Sequence, residues 1–373
     1  MKKVGKQVLF LAANKQYPRM GEGSFVRLRS GSIMFAFTQY YGVDWDDHSI
    51  ARIAACFSDD DGESFGDPIS IIEKDEKSLN IMSVSLLRLQ NGDIALSYLR
   101  KDMYNGEVIC LPWFCRSTDE GKTWSEPICC SEEKGYFVVN NDRMIQLKNG
   151  RIILPLADHG LTFTPGKIRF VYSDDNGVSW QISDVKTESQ FSDGVGFQEP
   201  GIFELPDGRL WIYTRTAYGH QYQSFSSDNG ESWTAPTPNL YFTSPDSPML
   251  VKKLGERAVA IFNPIPYSCV NENTEVWKSP KRTPYVCAIS NDGGLSFDST
   301  GKAASNGGLA SLQENSVLLE DDLSNSYCYP AVIETNDGFL VAYYHSNGTK
   351  VCLNSTKITK VTFGEIDEAL LSK

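Results

Sequence analysis

The sequence has no long apolar run. None of its hydrophobic stretches approaches the roughly 20 residues that a membrane-spanning helix needs. Near the N-terminus, Lys2 and Lys3 precede a short apolar run at residues 8–13, which lacks the length and the cleavage site of a secretory signal. We therefore predict no membrane segment and expect a cytoplasmic location, with secretion left open because a leader could already have been removed.

An excess of positive charge is also missing. The chain has 47 acidic and 35 basic residues, which gives a formal net charge of −12. A protein of this charge is repelled by nucleic acid and by anionic membrane surfaces, so neither is expected as its main partner. It can still bind an anionic ligand, but only through a local cluster of arginines.

Cysteine pairs of a recognisable kind are absent. The nine cysteines include no C-x-x-C pair, their number is odd, and the adjacent Cys129 and Cys130 are too close to bridge easily. No Cys or His spacing suggests a zinc site, so we predict neither a metal nor another cofactor. Buried free thiols in a reducing compartment are expected. Five cysteines lie in apolar, strand-like runs: Cys56, Cys110, Cys115, Cys287 and Cys352.

What the sequence does contain is a repeat. The pattern Ser-x-Asp-x-Gly-x-Ser/Thr-aromatic occurs five times, and its glycines are 59, 56, 53 and 64 residues apart. In such a turn the Asp accepts backbone hydrogen bonds, the Gly takes a strained φ, and the aromatic residue packs beneath. Five copies at similar spacing predict five equivalent hairpins. Their aspartates are Asp60, Asp119, Asp175, Asp228 and Asp292.

A second pattern is independent of the first. Six apolar stretches each continue through a glycine turn into an alternating apolar strand, as in a hairpin between the first two strands of a unit. Together the patterns predict an all-β fold, a six-bladed β-propeller with four-stranded blades of about 60 residues, forming one domain over residues 1–373. The sixth unit lacks the Asp pattern, and we expect the strand at residues 6–11 to complete it. The turn glycines are Gly31, Gly92, Gly150, Gly208, Gly255 and Gly338.

Strand direction sorts residues between the two faces of such a propeller. Both sets of turns lie at the bottom face, so each inner strand begins at the top, around the mouth of the central channel. Counting back nine residues from each turn glycine reaches a polar residue in all six units, although a merely solvated channel would also have a polar lining. The six residues are Glu22, Ser83, Asn141, Glu199, Asp246 and Tyr329.

The five Asp turns match the signature called the Asp-box, and over nearly its whole length the chain resembles the sialidase-like propellers that share it. The same motif occurs in non-enzymatic propellers, so it indicates the fold more than the function. The residues of the Asp-boxes themselves are expected to be structural.

Several top-face residues extend the resemblance. Glu199 and Arg215 are 16 residues apart at one end of the fourth hairpin, a relation that sialidases use in their active site. Tyr329 precedes an Asp-Gly turn, as the nucleophilic tyrosine of sialidases does, and Tyr327, two residues earlier with the same strand parity, is its main rival. Arg282 lies eight residues before Ser290 of the fifth Asp-box, where sialidases place one arginine of the triad that binds the substrate carboxylate.

The acidic loop at residues 42–48 supplies an acid/base candidate. Asp47 lies 11 residues before Ser58 of the first Asp-box, which matches the position of the acid/base aspartate in sialidases. Asp44 and Asp46 are close rivals, and a solvated acidic loop explains any one of the three.

The resemblance implies a retaining exo-glycosidase that releases a terminal sialic acid or a related acidic sugar. The carboxylate on the anomeric carbon would repel a carboxylate nucleophile but not a Tyr hydroxyl, provided that a base removes its proton. Glu199 would be the base and Tyr329 the nucleophile. Asp47 would protonate the leaving oxygen, which requires a raised pKa. Arg215 and Arg282 would hold the sugar carboxylate.

One departure concerns that arginine clamp. The Phe/Tyr-Arg-Ile-Pro motif of sialidases is replaced here by a stretch in which Arg19 comes two or three residues early and Glu22 stands near the expected place. Another ulosonic acid, a uronic acid or a neutral sugar is therefore an alternative substrate. Five further residues complete the predicted substrate-binding set: Arg19, Glu22, Asp46, Asn141 and Arg143. Four more on predicted top loops are candidates either for specificity or for ordinary packing: Asn80, Asp142, His159 and Tyr218.

Two other classes of function compete with a hydrolase. A non-catalytic carbohydrate-binding propeller would not need both Tyr329 and Glu199 beside an arginine clamp, and a protein-binding scaffold would not gather Arg and Glu at one face. A glycan or acidic sugar is therefore the expected partner, and no oligomeric state is predicted.

Overall fold

The computed structural model describes residues 1–188, 195–266, 282–297, 315–347 and 353–372. Within them the chain consists mainly of short antiparallel strands, which pair in six sheets. In each sheet the strands follow one another largely in chain order. This arrangement is the predicted six-bladed β-propeller of four-stranded blades.

The first strand of the chain belongs to the last blade, and blades 1 to 3 follow it. Blade 3 differs from the others because its inner strand is interrupted, so two short strands pair with the next one. These strands are β1 (Lys6–Leu11); β2 (Met20–Arg27), β3 (Ile33–Tyr40), β4 (Ala51–Ser58) and β5 (Ile69–Ile72) in blade 1; β6 (Asn80–Arg88), β7 (Ile94–Tyr104), β8 (Glu107–Ser117) and β9 (Ile128–Cys129) in blade 2; and β10 (Phe137–Val138), β11 (Ile145–Gln146), β12 (Ile152–Asp158), β13 (Lys167–Ser173) and β14 (Gln181–Ile182) in blade 3.

Blades 4 to 6 complete the ring. Strand β1 pairs antiparallel with the last strand of the chain, so the N-terminal strand completes the sixth blade as predicted. The remaining elements are β15 (Gln198–Glu204), β16 (Leu210–Arg215), β17 (His220–Ser226) and β18 (Thr237–Thr243) in blade 4; β19 (Leu250–Leu254), β20 (Arg257–Phe262), β21 (Tyr285–Ser290) and β22 (Ser316–Glu320) in blade 5; β23 (Tyr327–Glu334), β24 (Gly338–His345) and β25 (Ser355–Thr362) in blade 6; and the helix α1 (Phe363–Leu371).

The core lies between the blades. Among the described residues, six clusters of buried apolar side chains each join two neighbouring blades. In β3, Phe35 and Phe37 pack against Leu340 of blade 6, whereas Met34 packs towards Leu96 of blade 2. Because successive residues of a strand point to opposite faces, a strand packed on both faces must be apolar throughout. This explains the continuous apolar runs in the sequence.

Each Asp-box forms a closed turn after the third strand of its blade. In the second copy, Asp119 accepts hydrogen bonds from the Ser117 hydroxyl at 2.8 Å, the Thr123 N–H at 2.9 Å and the Thr123 hydroxyl at 2.6 Å. The same bonds recur in the other four copies. Gly121 has a φ of 80°, in the left-handed region that favours glycine. The predicted turn geometry is therefore confirmed.

The Asp-box turns also press against the preceding blade. A Cβ atom at Gly177 would lie 2.4 Å from the Phe114 ring of blade 2, so only glycine fits there. Trp180 of the same turn packs beside that ring, with the ring centroids 5.0 Å apart. In this blade the turn residues hold two neighbouring blades together.

The Asp-boxes lie at the end of the propeller opposite to the inner-strand starts. In blade 4, Leu210 pairs both with Ser226 of the Asp-box and with Glu204 at the far end of β15. Glu199, at the start of β15, is therefore at the opposite face, as predicted. One expected turn residue differs: Gly338 is the first residue of β24, and a Cβ atom there would lie 2.0 Å from the Val361 carbonyl oxygen.

The cysteines in the described part of the chain are free. Burial raises the pKa of Cys56, Cys110 and Cys115 to about 12, so these thiols stay protonated at neutral pH. Cys352 lies outside the described residues. No helix within the described ranges is long and apolar enough to cross a membrane.

Candidate active site

A cavity of about 370 Å³ lies at the top face, where the inner strands begin. Its volume falls in the range of pockets that bind small ligands. Five of the six residues found by counting back from the turn glycines line it, and Asn141 is the exception. The five are Glu22, Ser83, Glu199, Asp246 and Tyr329.

Four of these residues are presented by the same backbone feature. Glu22, Ser83, Glu199 and Tyr329 have φ values between 45° and 57°, and each lies where the register of the inner strand shifts against the second strand. A β-bulge of this kind re-aims a side chain out of the regular pleat. A left-handed conformation costs a non-glycine residue about 1–3 kcal/mol, and such strain is concentrated at functional sites.

Tyr329 and Glu199 contact each other across the mouth of the channel. The Tyr329 hydroxyl donates a 2.6 Å hydrogen bond to Glu199 Oε1. Arg215 Nη1 donates to Glu199 Oε2 at 2.8 Å and lies 3.5 Å from the Tyr329 hydroxyl oxygen. Burial and the Glu199 carboxylate raise the pKa of Tyr329 well above its usual value. The phenol is therefore protonated at rest, with Glu199 in position to accept its proton.

Asp246 and Arg282 complete what we call the tyrosine cluster: Tyr329, Glu199, Arg215, Asp246 and Arg282. Arg215 Nε donates to Asp246 Oδ1 at 2.5 Å, and Arg282 Nη2 donates to the Asp246 carbonyl oxygen at 3.1 Å. The Arg282 guanidinium carbon lies 5.6 Å from the centre of the Tyr329 ring. Both arginines therefore converge on Tyr329 and Asp246.

Arg19 is the centre of a second charged group, the Arg19 cluster of Arg19, Glu22 and Asp47. Arg19 Nη2 donates to Glu22 Oε1 and Nη1 donates to Asp47 Oδ1, both at 2.6 Å. Nε donates to the Tyr344 hydroxyl at 2.9 Å, and the guanidinium lies 4.7 Å from the centre of the Tyr40 ring. Arg19 thus reaches the cavity wall from its early place in the sequence, but its donors are already engaged.

Glu22 links this cluster to blade 2. Its Oε2 accepts a hydrogen bond from the Ser83 hydroxyl, so the first residues of two neighbouring inner strands are bonded to each other. Burial raises the pKa of Glu22, although Arg19 opposes this shift.

The Asp47 loop is held mainly through its backbone. The Asp47 carbonyl oxygen accepts from Asn80 Nδ2 at 2.7 Å and from Lys101 Nζ at 2.5 Å, while the side chain is 59% exposed. Partial burial favours the protonated form, but Arg19 and Lys101 outweigh it and lower the pKa of Asp47 to about 2. The raised pKa that the sequence analysis expected for Asp47 is therefore wrong, because Arg19 is hydrogen-bonded to its carboxylate.

Three predicted substrate-binding residues do not line the cavity: Asp46, Asn141 and Arg143. Asn141 Nδ2 donates to the carbonyl oxygens of Gly23 at 2.8 Å and Pro330 at 3.2 Å, which joins blade 3 to blades 1 and 6. Arg143 is fully buried, and its Nη2 donates to the Met249 carbonyl oxygen at 2.5 Å. Both side chains hold the inner strands together, so the structure does not bring them to the site.

The interrupted inner strand of blade 3 explains this difference. The left-handed residue of this blade is Asp142, with a φ of 55°, one position after the residue reached by counting. Its carboxylate accepts from the Ser24 hydroxyl at 2.8 Å and from Lys252 Nζ at 2.9 Å. The polar residues at this point join the blades instead of facing the cavity.

The rivals considered for the catalytic roles also lie outside the cavity lining. Asp44 and Asp46 are exposed, and Asp46 accepts a hydrogen bond from the His48 N–H at 2.8 Å, as in a loop turn. Tyr327 is buried in the core between blades 5 and 6, where its ring lies beside Tyr343.

Lys101 and Phe163 are among the lining residues that were not predicted for the site from the sequence. A forward count of nine residues from Gly92 reaches Lys101, and the same count from Gly150 reaches His159, which also lines the cavity. Counting in both directions would therefore have found Lys101. Phe163 had no such signal: its ring stacks on His159 with the centroids 4.5 Å apart.

The site offers hydrogen-bonding and ionic groups rather than metal ligands. In the part of the chain that the structure describes, no group of three or more His, Cys, Asp or Glu side chains is placed to hold a metal ion. The titratable groups along the described lining are two tyrosines, four carboxylates, three arginines, a lysine, a histidine and a cysteine.

Comparison with known proteins gives one family and several distant relatives. The model of the BNR repeat-like domain matches residues 86–342. The anhydrosialidase of Macrobdella decora is 31% identical over 130 residues, which cover 33% of this chain and 16% of that protein. The chain spans less than half the length of the sialidases that it matches by sequence.

Solved structures share the fold at low sequence identity. A leech intramolecular trans-sialidase in complex with 2,7-anhydro-Neu5Ac superposes with a TM-score of 0.72 and 15% identity, covering 98% of this chain and 71% of that one. An α-L-arabinofuranosidase from Fusarium graminearum superposes with a TM-score of 0.63 and 12% identity, covering 98% and 99%. At these identities the similarity establishes the propeller alone.

Proposed function

Because this chain belongs to the BNR repeat-like domain family and its sequence relatives include sialidases, we propose that it is a retaining exo-glycosidase that releases a terminal sugar from a glycan. The observation that carries the proposal is the 2.6 Å hydrogen bond from the Tyr329 hydroxyl to Glu199. A carbohydrate-binding propeller has no need of a buried Tyr paired with a carboxylate base.

In the proposed reaction, Glu199 takes the proton of Tyr329 while the phenolic oxygen bonds to the anomeric carbon and the bond to the leaving oxygen breaks. Arg215 contacts both groups and limits the charge that builds up between them. Water then attacks the sugar bound to Tyr329, which makes the reaction retaining.

Asp47 is our proposal for the acid that protonates the leaving oxygen and later activates water. Its exposed carboxylate is part of the cavity lining, and two side chains hold its backbone. With a pKa of about 2 in the unliganded protein, only a small fraction of Asp47 carries a proton at neutral pH. Activity that depends on this acid should therefore be greatest at acidic pH.

Two classes of sugar are candidates for the released group. The names of the sequence relatives point to sialic acid or a related acidic sugar, whose carboxylate would bind Arg215 and Arg282. A neutral sugar is favoured by the ion pairs of the tyrosine cluster, in which Arg215 already binds two carboxylates. The arabinofuranosidase described above has the same fold, and its name indicates that it acts on a neutral sugar.

Trapping the covalent intermediate tests the proposal. A panel of fluorinated glycosyl fluorides, acidic and neutral, would be incubated with the protein, because fluorine next to the anomeric centre slows breakdown of the intermediate. Attack by Tyr329 releases fluoride and leaves the sugar on the phenolic oxygen. We expect mass spectrometry to find this adduct on the peptide that contains Tyr329 and to find none in Tyr329→Phe. An adduct on Glu199 or Asp47 would overturn the tyrosine mechanism.

A further inference from the structure

We infer that the sugar bound beside Tyr329 is neutral, and that Asp246 excludes acidic sugars from the site. This inference rests on the proposed glycosidase function and specifies its substrate class. It is carried by the way in which the charges of the cavity are already paired.

The tyrosine cluster is electrically balanced before any ligand binds. It contains two arginines and two carboxylates, and Arg215 bonds to both carboxylates, at 2.8 Å to Glu199 and 2.5 Å to Asp246. Arg215 and Arg282 hold the pKa of Asp246 below its usual value against the effect of burial, so this carboxylate is ionised. A carboxylate from a substrate would add a negative charge to a balanced group.

The Arg19 cluster cannot supply a positive charge to balance a substrate carboxylate. Arg19 is only 2% exposed, and its guanidinium is bonded to Glu22 and Asp47 at 2.6 Å each. Lys101 is equally buried, and its ammonium group donates to the Asp47 carbonyl oxygen. Over the described lining of the cavity, the three arginines and the lysine face four carboxylates.

Arg282 is the one lining arginine without a carboxylate partner among the described residues. Its Nη1 contacts Cys328 Sγ at 3.1 Å, its Nη2 donates to the Asp246 carbonyl oxygen, and its buried Nε has no hydrogen-bond partner in the described part of the protein. The N–H groups that Arg282 leaves available belong to one side chain and do not replace a cluster of arginines. An acidic sugar placed here would also face the carboxylate of Asp246, and like charges brought together in an interface strongly disfavour binding.

A neutral sugar suits the same groups. Its hydroxyls can donate to the Asp246 and Glu199 carboxylates and accept from the arginines, so no ion pair has to break. The ring of any sugar becomes positively charged as the leaving oxygen departs with the bonding electrons, and a neutral sugar has no carboxylate of its own to offset that charge. The carboxylates of the cavity would stabilise that charge in the transition state.

Matched pairs of glycosides provide the test. The two members of a pair share the same ring and the same p-nitrophenyl group, but one carries a hydroxymethyl group where the other carries a carboxylate. A galactoside and a galacturonide, in each anomeric form, are examples. A sialic acid glycoside is tested beside the pairs. We expect kcat/KM to be at least about tenfold higher for the neutral member of the pair that is hydrolysed best. A preference for the acidic member, or for the sialic acid glycoside, would overturn the inference.

Asp246→Asn tests the cause of the preference. This change removes one negative charge and replaces the ion pair with Arg215 by a weaker neutral hydrogen bond, so kcat/KM for the acidic member should rise about tenfold relative to the neutral member. Asp207→Asn, at the exposed bottom face, removes the same charge far from the cavity and should leave the ratio unchanged. An unchanged ratio in Asp246→Asn would show that this residue does not set the preference.

Failure of this inference and failure of the proposed function give different results. If Tyr329→Phe abolishes hydrolysis but acidic sugars are preferred, the function stands and the neutral-sugar inference fails. If Tyr329→Phe does not slow hydrolysis of the best substrate, the proposed function fails. Calorimetric binding of the free sugars to Tyr329→Phe gives a readout that needs no turnover, and tighter binding of the acidic member would again contradict the inference.

Discussion

The two faces of the propeller use polar residues in different ways. At the bottom face, each Asp-box carboxylate bonds to residues of its own turn, as Asp175 does with Ser173 and Ser179, and the five copies are alike. At the top face, the equivalent positions carry a different residue in nearly every blade, and these residues bond across the channel. Repetition therefore marks residues that stabilise the fold, whereas departure from the repeat at equivalent positions marks the candidate site.

The two faces also differ in how much of the fold their contacts require. The hydrogen bonds of an Asp-box carboxylate stay within its own turn, because they span two to four residues. The contact between Tyr329 and Glu199 joins residues 130 positions apart, in blades 6 and 4. The site therefore exists only when the ring of blades is closed, whereas a bottom turn can be altered with local consequences.

The largest expected effect comes from Tyr329→Phe at the top face. Loss of the nucleophile should lower kcat by roughly a thousandfold or more, since removal of a nucleophile costs several orders of magnitude in well-studied hydrolases. The melting temperature should change little, because Glu199 keeps its bond to Arg215 and the ring of residue 329 still packs. Kinetics on the best substrate of the glycoside panel and thermal unfolding measure the two quantities.

Tyr327→Phe is the matched control for that experiment. Tyr327 lies two residues away on the same strand, but its ring is in the core beside Tyr343. We expect nearly unchanged kcat. A Tyr329→Phe protein that keeps wild-type kcat would remove the functional distinction between the two faces.

Much of the fold was predictable because its signals are local. The Asp, Gly and aromatic residues of each Asp-box interact within one turn or with the preceding blade, so spacing along the chain was enough to identify them. The start of an inner strand could be located by counting from a turn because a strand advances by a nearly constant length per residue. The count failed for Asn141, where the inner strand of blade 3 is interrupted.

The electrostatics of the site could not be predicted in the same way. The pairing of Arg19 with Asp47 joins two loops of blade 1 through side chains, and no spacing rule gives the direction of a guanidinium. The lowered pKa of Asp47 and the double engagement of Arg215 follow from such contacts. Sequence similarity identified which residues gather at the top face. Only the structure shows which of their charges are already paired and which can still bind a ligand.

A smaller effect should distinguish the two carboxylates of the Arg19 cluster. If Asp47 is the acid, Asp47→Asn should slow hydrolysis of a substrate with a poor leaving group about 10²–10⁴-fold, with far less effect on an activated one. Because the pKa of Asp47 is about 2, the protonated fraction falls tenfold per pH unit above it, so wild-type kcat/KM for the poor leaving group should decrease as the pH rises from 4 to 7.

Glu22→Gln supplies the comparison within that cluster. Glu22 binds Arg19 and Ser83 and is not proposed to transfer a proton, so this variant should keep the decrease of kcat/KM with pH, whereas Asp47→Asn should lose it. If the pH dependence disappears in Glu22→Gln and persists in Asp47→Asn, Glu22 is the acid and the assignment of Asp47 is wrong.

The smallest expected effect is that of Asp175→Asn at the bottom face, where stability should change and activity should not. Burial opposes ionisation of Asp175, but hydrogen bonds from Ser179 and Ser173 outweigh it and hold its pKa at about 2, below the usual value near 3.9. A carboxylate with a lowered pKa stabilises the folded state at pH values above 4, and this contribution is lost as the pH falls from 4 to 2. We therefore expect Asp175→Asn to lower the melting temperature by a few degrees at pH 7, through weakened hydrogen bonds worth about 1–2 kcal/mol, and the difference from wild type to shrink towards pH 2.

Thermal unfolding of wild type and Asp175→Asn at several pH values measures this difference, and kcat/KM at pH 7 should be equal for the two proteins. A drop in kcat/KM without a change in melting temperature would show that the bottom turns take part in function, contrary to the separation of the two faces.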